Sequence, residues 1–296
     1  MKDQFQFKQF TIHHDRCAMK VGTDGVLLGA WGAVMPPRIL DIGTGTGLIA
    51  LMAAQRQPDA QVLGIDIDGD AVEQARENVA SSPFANRVCI RQQSLQELSG
   101  FQLQDSNFNA QHSTLNAQLS AQPEGTLDPS RTFNSQSSIP NSQFSTFNFQ
   151  FSTFSSILCN PPFFEETLLP PDARRSQARH TPTLPFPVLI DAVSHLLMPD
   201  GTFSVILPTT AFDDFRHRCF AKKLICTRLC HVQTTPTKPP KRVLATFCLQ
   251  SAATPPSSSE LSSLPAQCDG PTTLILNHGT ARSPEYAALT RDFYLW

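Results

Sequence analysis

The chain has 296 residues, of which 40% are hydrophobic, and a formal net charge of -2 at pH 7. This length accommodates one large domain or two small ones, and the charge balance argues against a strongly basic, non-specific nucleic-acid binder. Because the first 20 residues are polar and no apolar run approaches the roughly 18 residues of a membrane span, we expect a cytoplasmic protein.

Short apolar runs alternate with stretches of helical periodicity from residue 38 onward. Strands are predicted at 38–40, 61–66, 87–91, 155–159 and 202–208, with helices at 48–56, 70–80, 187–198 and 211–223. This alternation predicts an α/β fold with a doubly wound parallel sheet. Two later strands, ICTRLCHVQT and RVLATFCLQ, are joined by only seven residues, which is too few for a helical crossover, so they should pair antiparallel.

Two segments interrupt this pattern within a single expected domain, 1–296. Residues 100–154 are rich in Ser, Gln, Asn and Phe and contain the near-repeat QFSTFNF and QFSTFSS. This composition predicts a disordered insertion, with a small extra β-element as the alternative. Residues 251–271, rich in Pro and Ser, predict a flexible connection to a C-terminal strand and a helix at 284–296.

The eight cysteines are scattered and do not predict a disulfide framework. One cluster has residue types that bind metals: Cys219, Cys226, Cys230 and His231. It lacks a second cysteine pair at zinc-knuckle spacing, and free cysteine is among the most buried residue types. We therefore expect buried thiols and no metal.

A glycine-rich loop follows the first strand of the alternating pattern. LDIGTGTG places Gly43, Gly45 and Gly47 between a strand and a helix, and Asp66 ends the next strand, where it can accept hydrogen bonds from two ribose hydroxyls. A nicotinamide dinucleotide fold has the same features. Asp41 suits a cofactor with an amino-acid ammonium group and would repel a pyrophosphate, which favours S-adenosylmethionine.

The segment SSILCNPPFFEE ends a buried strand in a polar residue that two prolines restrain. The side-chain oxygen of Asn160 and the carbonyl oxygen of Pro161 can accept the two hydrogens of an exocyclic amine and direct its lone pair at a methyl donor. Pro162 restrains this turn, and Phe163 offers a flat face on which a flipped base can stack. A proline-rich turn with aromatic packing is the structural alternative.

With these motifs the chain resembles the bacterial tRNA(Val) (adenine-37-N6)-methyltransferase family. That family lies within the S-adenosylmethionine-dependent methyltransferases that carry an (N/D)PP(Y/F/W) motif on a Rossmann-like fold. The resemblance rests on FQFKQFTIHHDRCAMKVGTDGVLLGAW, LDIGTGTGLIALMAAQR, IDIDGDAVEQARENVASSPFANRV, NPPFF, RRSQARHTPTL, KRVLATF and SPEYAALTRDFYL. These stretches cover nearly all of the chain outside 100–154 and 251–270.

The resemblance implies a mostly parallel seven-stranded sheet with one reversed strand, and an enzyme that methylates adenine 37 in the anticodon loop of valine tRNA. A monomer is the default expectation, since the sequence does not indicate an oligomeric state. Residues 1–36 would cap the cofactor. The implied cofactor-binding residues are Lys20, Thr23, Asp24, Asp41, Gly43, Gly45, Gly47, Asp66, Ser94 and Asn160. The implied catalytic residues are Asn160, Pro161, Pro162 and Phe163, and the implied tRNA-binding residues are Arg175, Arg179, His180 and Arg242.

The chain departs from the family pattern at two positions. Ser94 stands where the family usually has an acid. At residues 154–155 the family usually has an aromatic residue followed by Asp, and this chain has Phe154-Ser155.

Two other functions stay open. A protein glutamine N5-methyltransferase uses the same clamp but usually carries a helical domain before the glycine loop, where this chain has only about 40 residues. A non-catalytic RNA-binding protein on a degenerate methyltransferase scaffold is favoured by Ser94 and the insertion, and disfavoured by the intact motif.

Overall fold

The computed structural model describes residues 3–17, 20–100, 153–162, 184–250 and 272–295. In chain order their elements are β1 (Gln4–Gln6), β2 (Thr11–His13), α1 (Thr23–Trp31), β3 (Arg38–Ile42), α2 (Leu48–Arg56), β4 (Gln61–Asp66), α3 (Gly69–Ala80), β5 (Val88–Gln92), α4 (Leu95–Ser99), β6 (Phe154–Cys159), α5 (Phe186–Leu196), β7 (Leu197–Pro208), α6 (Thr209–Ala221), β8 (Leu224–Gln233), β9 (Arg242–Leu249), β10 (Thr272–Ile275), β11 (Asn277–His278), β12 (Ala281–Arg282) and α7 (Pro284–Thr290).

Eight of these strands form one sheet, in the order β10-β8-β9-β7-β6-β3-β4-β5. β9 runs antiparallel to both β7 and β8, and the other neighbouring pairs are parallel. The doubly wound α/β fold and the antiparallel pairing of β8 with β9 are confirmed. The sheet has eight strands rather than seven, because the C-terminal strand β10 pairs with β8 and becomes the outermost strand on that side.

Helices cover both faces of the sheet. One hydrophobic core includes residues of α1, α2, α3, α7 and the β1-β2 hairpin, and a second core includes residues of α4, α5 and α6. A glycine allows α1 to lie close to α2, since a Cβ atom at Gly29 would be 2.5 Å from the sulfur of Met52. This packing positions the N-terminal segment over the helix that follows the glycine loop.

Several element boundaries differ from the sequence predictions. β7 begins at Leu197, five residues before the predicted start, because the apolar pair Leu196-Leu197 spans the junction between helix and strand. α7 ends at Thr290 instead of residue 296. β6 begins at Phe154, the last residue of the expected insertion, and this side chain is fully buried. The predictions for residues 101–152 and 251–271 lie outside the described residues.

A buried asparagine joins the N-terminal hairpin to the glycine loop. The Asn78 amide nitrogen donates to the carbonyl oxygens of His13 and Thr46, each at 2.9 Å. Its side-chain oxygen accepts from the backbone N–H of His13, also at 2.9 Å. One side chain of α3 therefore fixes both the end of β2 and the loop that precedes α2.

Replacing this asparagine should destabilise the fold. Asn78→Ala leaves three backbone groups without their partner, and each buried unsatisfied group costs about 1–3 kcal/mol, so we expect the free energy of unfolding to fall by at least about 2 kcal/mol. Asn86→Ala, at an exposed position, is the matched control and should change it by less than about 0.5 kcal/mol. Urea unfolding measures both; equal values for the two variants would contradict this role for Asn78.

Candidate active site

Three adjacent parallel strands bring their carboxyl ends to one edge of the sheet. Ile42 of β3 pairs with Ile65 of β4 on one side and with Cys159 of β6 on the other. The glycine loop, Asp66 and Asn160 therefore begin at the same level, on neighbouring strands about 4.8 Å apart. The strand order runs from β3 to β4 and β5 on one side, and from β6 to β7 on the other. The carboxyl ends of β3 and β6 therefore form the switch point at which doubly wound sheets bind ligands.

Asp41 lies at the centre of this edge and is fully buried. Its Oδ2 atom accepts from the hydroxyl of Thr44 at 2.6 Å and from the backbone N–H of Ala50 at 3.1 Å. Its Oδ1 atom is buried without a hydrogen-bond partner among the described residues. Burial raises the pKa of this carboxyl group to about 7, against the lowering effect of the two hydrogen bonds.

The glycine loop has a backbone shape that other residues adopt only with strain. Gly43, Gly45 and Gly47 have φ angles of 68°, 53° and 80°. The backbone N–H groups of Gly43 and Thr44 both donate to the carbonyl oxygen of Ile65 at 2.9 Å, which holds the loop against β4. A Cβ atom at Gly43 or Gly45 would meet no described atom within 4 Å, so the space over the loop can admit a ligand.

The predicted ribose acceptor also shapes this loop. Asp66 Oδ2 accepts from the backbone N–H of Gly45 at 2.9 Å, and Oδ1 accepts from the backbone N–H of Asp68 at 3.1 Å. Each carboxylate oxygen keeps a second lone pair for a ligand hydroxyl. Ile67, which sequence reasoning missed, follows with 39% of its surface exposed. An apolar residue directly after a strand-ending acid was the available signal.

Asn160 follows β6 directly and is half-buried, with Pro161 buried behind it. No hydrogen bond joins its carboxamide to another residue in the described part of the chain, so its oxygen is available to a substrate. Phe163, the predicted stacking partner of a base, lies outside the described residues. The structure thus brings Asn160 and Pro161 to the glycine loop, as the sequence predicted.

Ser155, which stands where the family usually has Asp, has a structural role at the start of β6. The hydroxyl of Ser155 accepts from the backbone N–H of Arg38 at 3.1 Å and lies 2.7 Å from the carbonyl oxygen of Met35. The hydroxyl of Ser156 accepts from the backbone N–H of Met35 at 2.8 Å. These serines fix the start of β6 to the segment that leads into β3, which maintains the register that places Asn160.

Ser94, the predicted cofactor ligand, is the N-cap of α4. Its hydroxyl accepts from the backbone N–H of Glu97 at 3.2 Å, and Glu97 Oε2 accepts from the Ser94 backbone N–H at 2.8 Å. Glu97 Oε2 also accepts from the Ser94 hydroxyl at 2.9 Å, and the two hydrogen bonds to this oxygen lower the pKa of Glu97. The Ser-x-x-Glu spacing is a capping-box signal that sequence reasoning did not use. The capping box therefore brings a carboxylate to Ser94, where the family usually has an acid.

The N-terminal cap and the predicted RNA-binding arginine meet in the structure. Asp24 lies in the first turn of α1, and its Oδ2 atom is 2.8 Å from Nε of Arg242 at the start of β9. Lys20 and Thr23 are exposed nearby in sequence. The resemblance assigned Asp24 to the cofactor and Arg242 to tRNA, but here their charges neutralise each other. Arg175, Arg179 and His180 lie outside the described residues.

The cysteine cluster of the sequence is distributed over two elements. Cys219 of α6 and Cys230 of β8 are buried, and burial raises the pKa of both thiols. Within residues 3–17, 20–100, 153–162, 184–250 and 272–295, no group of three or more metal-binding side chains could hold an ion.

No helix in the same ranges is long and apolar enough to cross a membrane.

Comparisons with known proteins identify the kind of domain and its fold. Residues 37–205 match a family model described as a methyltransferase domain. A solved structure of a predicted O-methyltransferase from Agrobacterium tumefaciens superposes with a TM-score of 0.53 at 15% identity, covering 91% of this chain and 96% of the other. At that identity the likeness concerns the fold alone.

Curated relatives are similar over nearly the whole chain. A protein from Bacteroides fragilis is 37% identical over 98% of this chain and 97% of its own length. A protein from Parabacteroides distasonis is 38% identical, with the same coverage. A third, from Porphyromonas gingivalis, is 38% identical over 99% of this chain and 95% of its own length. All three bear the name tRNA1(Val) (adenine(37)-N6)-methyltransferase.

The buried carboxyl group of Asp41 should make the stability of the ligand-free protein depend on pH. Its pKa of about 7 lies above the value of about 3.9 for an unfolded Asp, so the folded protein binds the proton more tightly. Its stabilising contribution is complete below pH 4 and is lost as pH rises through 7. Melting temperatures from pH 5 to 8 should therefore fall for wild type relative to Asp41→Asn. A difference independent of pH would contradict this titration.

Proposed function

We propose that this chain, which belongs to the tRNA1(Val) (adenine(37)-N6)-methyltransferase family, transfers a methyl group from S-adenosylmethionine to N6 of adenine 37 in a valine tRNA. The observation that carries the proposal is the position of Asn160 and Pro161 beside the glycine loop, where the Asn160 carboxamide has no hydrogen bond to another described residue and can accept a substrate hydrogen. The anticodon loop, which contains nucleotide 37, is the proposed contact, and a monomer in the cytoplasm is the proposed active form.

The residues at the edge fit S-adenosylmethionine. The Oδ1 atom of Asp41, which has no hydrogen-bond partner among the described residues, is an acceptor that suits an ammonium group. Asp66 keeps lone pairs for two ribose hydroxyls, and the exposed side chain of Ile67 offers an apolar surface for an adenine ring. Open space over Gly43 and Gly45 admits the rest of the molecule. The cofactor, when bound, supplies a methyl group on a positively charged sulfur.

The chain's own residues would orient the acceptor amine. The nitrogen lone pair of an adenine amine is delocalised into the ring, so the amine is a weak nucleophile. Hydrogen bonds to the Asn160 side-chain oxygen and the Pro161 carbonyl oxygen would favour tetrahedral geometry and direct the lone pair across the cleft. Proline fixes the backbone around this carbonyl, so little conformational entropy is lost on binding. The amine proton leaves after transfer, and no general base is required.

A labelled-methyl assay tests the proposal directly. With labelled S-adenosylmethionine and unmodified valine tRNA, we expect label in N6-methyladenosine after nucleoside digestion. A valine tRNA with another nucleotide in place of adenine 37 is the control and should stay unlabelled. Label in protein glutamine would support the glutamine methyltransferase alternative. Saturable tRNA binding without any binding of S-adenosylmethionine would support the non-catalytic alternative.

The amine clamp makes a separate prediction. Asn160→Ala should reduce single-turnover methyl transfer by about 100-fold or more, the loss seen when one transition-state hydrogen bond is removed. The affinity for S-adenosylmethionine, measured by calorimetry, should stay near the wild-type value, because the variant removes only one of the implied cofactor contacts and keeps Asp41, the glycine loop and Asp66. Asn86→Ala, at an exposed position, is the matched control. A fully active Asn160→Ala enzyme would exclude the clamp.

A further inference from the structure

A basic loop lies at the same edge of the sheet as the candidate active site. Residues 234–241 connect β8 with β9, and the first residue of β9, Arg242, pairs with Pro208 at the end of β7. β7 is parallel to β6, so this loop follows the carboxyl ends of the strands. Cys159 pairs with Val205, which places Pro208 two residues, or about 7 Å, beyond the level of Asn160. β9 lies two strands from β6, about 10 Å to the side.

Hydrogen bonds and prolines hold this loop in place. The backbone N–H of Lys241 donates to the carbonyl oxygen of Val232 at 3.0 Å. The Lys241 carbonyl oxygen accepts from the backbone N–H of Thr209 at 3.2 Å. The Thr209 hydroxyl donates to the carbonyl oxygen of Pro240 at 3.0 Å. Three of the eight loop residues are prolines, which restrict the backbone further. The loop is therefore a fixed surface beside the site.

The loop carries charge that the described residues do not neutralise. Lys238 and Lys241 are exposed, and no described carboxylate lies within 4.0 Å of either ammonium group. Residues 234–241 include no acidic residue. Arg242 differs from these lysines, because Asp24 neutralises its charge at 2.8 Å. The free cationic groups at this point are thus the two lysines and not the arginine that the resemblance assigned to tRNA.

We infer that Lys238 and Lys241 bind phosphates of the nucleotides that flank the methylated base, an inference that rests on the proposed RNA substrate. Lysine is a compact point charge that suits a phosphate oxygen, and phosphate contacts fix the position of a nucleic acid without reading its sequence. The two lysines lie in the loop that leads into β9, two strands to the side of β6, so their flexible side chains would contact the RNA backbone on one side of a flipped base. The loop orients the RNA, and Asn160 holds the amine.

Binding of valine tRNA at several salt concentrations tests this inference. For single strands, each phosphate contact contributes about 0.7 to the slope of log affinity against log salt, so Lys238→Gln/Lys241→Gln should reduce the slope by about 1.4. We also expect the Kd for tRNA to rise about tenfold, the loss of two exposed charge pairs. The affinity for S-adenosylmethionine should not change. Fluorescence anisotropy of labelled tRNA gives both quantities.

Two control variants separate charge from folding. Lys238→Arg/Lys241→Arg keeps both charges and should keep the wild-type slope. Lys223→Gln removes an exposed charge before β8, at the opposite edge of the sheet, and should leave tRNA binding unchanged. A wild-type slope in the double glutamine variant would overturn the inference even if the enzyme methylates adenine 37. A reduced slope supports the RNA contact even if methylation falls on another nucleotide, in which case the proposed target is wrong.

Discussion

The site depends on one buried carboxylate. Asp41 holds Thr44 and Ala50 with a single oxygen, and so fixes the path of the chain from β3 through the glycine loop into α2. Burying a carboxylate costs free energy unless hydrogen bonds or a counter-charge compensate, and only one of its oxygens is satisfied within the described chain. The raised pKa of Asp41 expresses that cost. A cationic ligand group near Oδ1 would compensate this free-energy cost. The buried carboxylate that destabilises the free protein is therefore the group that favours binding of the cofactor.

The register of β3, β4 and β6 separates the site into a half for the methyl donor and a half for the acceptor. Pairing of Ile42 with Ile65 places Asp66 beside the glycine loop, and pairing of Ile42 with Cys159 places Asn160 on the opposite side. A donor held over β3 and β4 would face an acceptor held over β6. The reversed strand β9 brings the loop at 234–241 to the same edge, where a nucleic-acid backbone would enter. Donor, acceptor and backbone contacts thus follow from strand order.

Local signals in the sequence predicted much of this arrangement. The alternation of strands and helices, the glycine loop, Asp66 and the Asn-Pro-Pro turn depend on neighbouring residues, and the structure brings them together as expected. The ion pair between Asp24 and Arg242 could not be predicted in this way, because it joins residues 218 positions apart whose contact depends on the packing of α1 and the start of β9. The C-terminal strand itself was predicted, but its pairing with β8 as the eighth strand of the sheet was not, because strand pairing is a tertiary contact.

Hydrogen exchange of the wild-type protein with and without S-adenosylmethionine tests the central claim most directly. If the cofactor binds over β3 and β4, peptides that cover residues 41–47 and 66–68 should gain protection. Peptides at the opposite edge of the sheet, around residues 194–200 and 222–223, should exchange at the same rate in both samples. Protection confined to that opposite edge, or no protection at 41–47, would contradict the account, because Asp41 and the glycine loop would then not form the cofactor site.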